Sequence, residues 1–172
     1  MKANIYFFLL LLTSTVFISC KKDTIAYQKD FNRSYDAWAG FKAASGNSYR
    51  YTVSSASWTG FSTETTITVK EGKVVQRAYI AKAVDRTNPP IRIVEEWTEN
   101  AAQLGSHANG YALRTLDDIY REAKDDWLQK RGNVKTYFEA TNNGMISSCG
   151  YVENGCMDDC FRGITIRSIE KI

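Results

Sequence analysis

Histidine is nearly missing from this chain: there is one, His107, among 172 residues that carry 22 lysines and arginines and 19 acids. A single histidine in the loop "LGSHANG" excludes a Ser-His-Asp triad or a two-histidine zinc site unless the other groups come from elsewhere. Charge of one sign is scarce as well. The formal net charge is +3, and taking away the one charge of Lys2 with the leader leaves +2. The basic residues stand singly among acids, as in "YREAKDDWLQKR", which is the pattern of a solvated face and not of a nucleic-acid binder. No Gly-rich phosphate loop and no G-x-S-x-G elbow occurs. Glu95 and Glu96 are neighbours in an expected strand, so they point to opposite faces, which is poor geometry for a carboxylate pair on one substrate. These absences describe a non-enzymatic chain with no call for a cofactor.

What is present is a core. With 44% hydrophobic and 13% aromatic residues, the chain has the composition of one packed domain. Its strongest apolar run, Ile5 to Ile18, follows Lys2 and is shorter than the roughly 20 residues a spanning helix needs. That makes residues 1–19 a signal peptide. An ordinary cut after Ser19 would place bulky Phe17 where a small residue is wanted. The string Phe17, Ile18, Ser19, Cys20 instead resembles the lipobox of bacterial lipoprotein precursors, with Phe17 in place of the commoner Leu, Val or Ile. The resemblance implies that Cys20 is the lipid attachment point and first residue of the mature chain. Two or three acyl chains make such an anchor lasting, at about 0.8 kcal/mol per buried CH₂. "SCKKD" is similar to lipoproteins of the Bacteroidota, whose charged stretch after the cysteine directs export to the outer membrane, and "DTI" resembles a short glycosylation motif of that phylum. The expectation is a lipidated cysteine and polar tether over 20–28, then a single domain over 29–172. The partner implied is the membrane; the alternative is a soluble secreted protein.

Past the tether, Phe31, Tyr35, Trp38 and Phe41 form one helical stripe, with a stop near "SGN". Period-two segments follow: "SYRYTV", "TTITV" and "VVQRAYIA", the last two joined by a turn at Glu71 and Gly72. Pro89 and Pro90 stiffen the approach to a strand over Ile91 to Trp97. A second helix opens at Thr115 with a capping pair to Asp118. It buries Leu116, Ile119, Tyr120, Ala123 and Trp127, and runs to Gly132. "VKTYFEA", "MISSCGYV" and "FRGITIRSI" close the chain as strands. The expected fold is α+β: an antiparallel sheet of about six to seven strands with two helices on one face. "YDAWAGF", "TITVKEGKVVQR", "RTLDDIYREA" and "TNNGMISSCGYVENGCMDDCFRGITIRSI" resemble a family of small bacterial envelope domains of unknown function. That resemblance implies fold and envelope location and no catalytic residues; the cysteines near the end depart from its pattern.

The acidic segment "CGYVENGCMDDC" holds Cys149, Cys156 and Cys160. An exported chain favours a disulfide over metal there. Cys156–Cys160 is the first choice of pair by its short separation and Cys149–Cys160 the rival, with the odd thiol left free or bonded between molecules. Candidate binding residues are Trp58, Phe61, Trp97 and His107, as an exposed aromatic patch or loop for an unknown protein or glycan partner. The alternative is a structural envelope protein without a small ligand.

Overall fold

The computed structural model describes residues 23–84 and 90–172. The leader, Cys20, Lys21, Lys22 and Pro89 lie outside them. Seven strands form one antiparallel sheet: β1 (Tyr49–Ala56), β2 (Phe61–Lys70), β3 (Lys73–Val84), β4 (Ile91–Asn100), β5 (Val134–Glu139), β6 (Ser148–Glu153) and β7 (Arg162–Lys171), in the order β4-β3-β2-β1-β7-β6-β5. Two helices lie on one face, α1 (Gln28–Ala44) and α2 (Leu116–Glu122), and α2 continues as a π-helical turn over Ala123–Trp127. The fold is α+β.

In α1 the stripe turns Phe31 and Trp38 fully inward, and Trp38 meets Tyr49 edge-on at 5.2 Å. Tyr35, expected in the same stripe, is 49% exposed. The space beneath it belongs to Tyr120, whose hydroxyl bonds to Ser34. The helix stops where Gly46 and Asn47 both take positive φ. At the β2–β3 turn Glu71 and Gly72 do the same, which gives the tight hairpin twist.

The capping box of Thr115 and Asp118 starts α2, and Leu116, Ile119, Tyr120, Ala123 and Trp127 are all buried. The helix ends sooner than Gly132, because the chain there is claimed by another partner. Ala26 donates its amide to the Leu128 carbonyl, and Ile25 bridges Gln129. Ile25 is buried in the core. The polar tether expected over 20–28 is therefore shorter, and contact with the domain begins by Ile25 and not at residue 29.

On β7 the inward run Ile164, Ile166, Ile169 slips by one residue after Ile166. The register explains it: Thr52 pairs with Ser168 and Val53 with Ile166, so Arg167 is bulged out and all three isoleucines stay buried. The helices cover β1, β6, β7 and part of β2. A loop, residues 104–114, covers the same face of β3 and β4 in their place.

Candidate functional site

The sheet divides in the middle. β1 and β7 pair only from Tyr49–Val53 to Ile166–Lys171. The other half of β7 turns to β6, pairing Thr165 with Ser148 through to Arg162 with Tyr151. Gly150 faces Gly163 in that crossing. A Cβ on Gly150 would collide with the Arg162 carbonyl and the Phe161 ring, and one on Gly163 with the Cys149 carbonyl, so only glycine permits the approach. Beyond Val53 the two strands splay apart. They leave an open cleft of about 860 Å³, walled by Ser54, Ser55, Phe61, Tyr111, Phe161 and Arg167 among others.

The cleft's exposed aromatic contacts come from Phe61 and Phe161, each about two-fifths exposed, beside Val53 and Ile164. Arg167 is ion-paired to Glu64 at its wall, and Asp159 also lines it. Tyr111 is held at the floor by its amide bond to the Thr65 hydroxyl, 2.9 Å. Burial raises the Tyr111 hydroxyl above its ordinary 10.0, with Arg114 pulling the other way. Of these residues only Phe61 was a candidate from the sequence. Phe161 and Tyr111 carry no periodic signal of their own; the available hint was a glycine inside each of two alternating strands, which marks close backbone approach.

The structure brings Trp97 and His107 together, with rings stacked at 4.3 Å and 8°. Beneath them Glu99 is fully buried. It accepts from Arg77 Nε and Nη2 at 3.0 and 2.9 Å, from the amides of Gly105 and His107 at 2.9 and 2.7 Å, and from the Ser106 hydroxyl at 3.2 Å. His107 Nδ1 lies 3.1 Å from the same carboxylate. Arg77 reaches on to the carbonyls of Tyr111 and His107, and its guanidinium lies over the Trp97 ring. Arg77 holds the Glu99 carboxyl well below the usual carboxylate range, against the opposing effect of burial and with help from the two amides. The network is internally satisfied. It fastens the loop to β3 and β4, with Trp97 and His107 stacked over it. The sequence signal for it was a charge at an inward place: Arg77 lies two residues before buried Tyr79, and Glu99 two after Trp97.

Trp58 stands apart from both, 80% exposed in the turn between β1 and β2. Glu95 and Glu96 pair with Ala81 and Ile80 respectively, hence on opposite faces. Cys156 and Cys160 are the cysteines placed as a disulfide, with Cα atoms 6.2 Å apart. Cys149 is a free thiol buried in the core, its pKa pushed up to about 12 by burial. Among the described residues no group of three or more His, Cys, Asp or Glu side chains is arranged to hold a metal, and no helix is long and apolar enough to cross a membrane. Comparison with known proteins finds no matching family model, no matching curated protein and no matching solved structure.

Proposed function

We propose that this protein is a membrane-anchored, non-enzymatic binding module of the bacterial envelope, held through acylated Cys20, which takes an extended segment of a partner protein into the cleft between β1 and β7. The observation that carries the binding reading is the pair of strand edges facing that cleft. Ser54–Ala56 pairs with β2 on one side, and Arg162–Thr165 with β6 on one side, and among the described residues neither has a strand partner on the other. Free strand edges are templates for an added strand, with main-chain bonds giving affinity and flanking side chains giving selectivity. Phe61 and Phe161 supply the flanking apolar contacts. The anchor rests on Lys2, the apolar run from Ile5 to Ile18 and the string Phe17 to Cys20.

Two measurements test this. Intact mass of the native protein is expected to show a chain beginning at Cys20 with two or three acyl chains; an unacylated chain means a soluble secreted protein. Chemical-shift mapping with short extended peptides and with soluble glycan oligomers is expected to move the amides of Ser54–Ala56 and Gly163–Thr165 with the peptides, and Phe61→Ser is expected to abolish the shifts. Shifts from glycans alone, or accumulation of a reaction product, would sink the peptide-binding reading.

A further inference from the structure

The two ends of the sheet are unlike. At one end lie the β1–β2 turn, the tips of β3 and β4, the disulfide loop between β6 and β7, and the start of β5. Here Trp58 is 80% exposed, Met157 96%, and Val84 and Ile91 59% each. The opposite end is built from "SGNS", "KEGK", "NAAQ" and "TNNG", with Ile172 its one exposed large hydrophobic residue among the described residues. Exposed apolar side chains concentrated on one end mark a surface that meets something apolar.

The chain enters at that same end. Ile25 is bridged to Gln129, a few residues before β5 begins, and Lys130 binds the Asp23 carbonyl. From Cys20 to Ile25 the fully extended chain spans at most about 18 Å. The ten-residue strands β2 and β7 make the sheet about 33 Å long. A lipid on Cys20 therefore keeps the apolar end close to the bilayer and leaves the polar end out of reach of it.

We infer that the apolar end of the sheet docks on the lipid surface, with Trp58, Met157, Val84 and Ile91 in the headgroup region. This rests on the reading of Cys20 as the lipid anchor. Tryptophan is suited to that depth, since its ring is amphipathic. Asp158 and Asp159 beside Met157 hold that loop at the headgroups and out of the hydrocarbon. Docked in this way, the cleft's Phe61 and Phe161 lie toward the membrane surface.

The test uses the acylated full-length protein, isolated from membranes and returned to vesicles of phosphatidylethanolamine and phosphatidylglycerol with brominated acyl chains. Trp38 and Trp127 are buried and Trp97 is partly covered, so surface quenching should belong to Trp58. The expected result is quenched, blue-shifted emission that disappears in Trp58→Phe and weakens in Met157→Ser; both positions are exposed, so the fold is kept. Acylated protein showing no quenching, or the same quenching in Trp58→Phe, overturns the docking and leaves the anchor standing. A mass without acyl chains overturns the anchor and the docking with it.

Discussion

One face of the sheet is covered in two different ways. Over β1, β2 and β7 the cover is two helices, and the contact is aromatic: Trp38 and Phe41 meet Tyr49 of β1, while Trp38 and Phe31 pack on Tyr120 to join the helices to each other. Over β3 and β4 the cover is the 104–114 loop, and the contact is the buried pair of Arg77 and Glu99. The difference follows from the backbone. A helix satisfies its own amides and carbonyls, so it can lay an apolar stripe on the sheet. A loop brings unpaired amides into the interior and needs an acceptor waiting there. Glu99 is that acceptor for Gly105 and His107, and Arg77 both balances its charge and takes up the loop carbonyls.

The comparison can be broken most severely on the helical side. Trp38→Ala is expected to cost about 3–5 kcal/mol in chemical denaturation, because a large core side chain is lost and the rigid sheet cannot close over the hole. On the loop side, Arg77→Leu leaves a buried carboxylate without its countercharge. Amide exchange at Gly105 and His107 is expected to quicken by roughly 100-fold or more, with far smaller change in α1, since breaking a buried pair is costly and its effect here is local. Equal acceleration everywhere would mean the loop is no separate unit.

Acid separates the halves more gently. The folded Glu99 carboxyl lies below its ordinary 4.5, so its contribution is complete at neutral pH. It diminishes as the pH falls beneath that ordinary value toward the lower folded one. Fluorescence of Trp97, stacked on His107, should report loop release on acidification before near-ultraviolet dichroism of the Trp38 cluster changes. Simultaneous loss would merge the two regions. The smallest expected effect is at the join between loop and helix: Thr115→Ala removes the α2 cap and should cost about 1 kcal/mol by the same denaturation measurement.

Much of the fold could be read in the chain without coordinates. The spacing of Phe31 and Trp38, the Thr115–Asp118 pair, the Glu71–Gly72 turn and the alternations of β1, β2 and β7 are all local signals, and each names its element. The π-helical finish of α2 and its early end at Trp127 had no such signal, because they depend on Ile25, about a hundred residues earlier, docking beside Gln129. The site was legible only in part. Phe61 could be singled out as a large aromatic near a turn. The cleft itself could not, since it exists because β7 changes partners halfway along its length, and no local pattern encodes which neighbour a strand half will choose.

Sequence by itself determined the periodicities: the repeat of most inward positions, where the second helix is capped, where the chain must turn, and that a short apolar run ends two residues before Cys20. These depend on neighbours within a few residues, where backbone geometry has fixed repeats. Only the tertiary structure decided that Trp97 and His107 stack on each other above Glu99, that Cys156 meets Cys160 while Cys149 is buried, and that the chain enters beside the apolar tips. Those outcomes are contacts between distant segments. Their energies come from burial and from polar groups finding partners, which exist only after the chain has closed on itself.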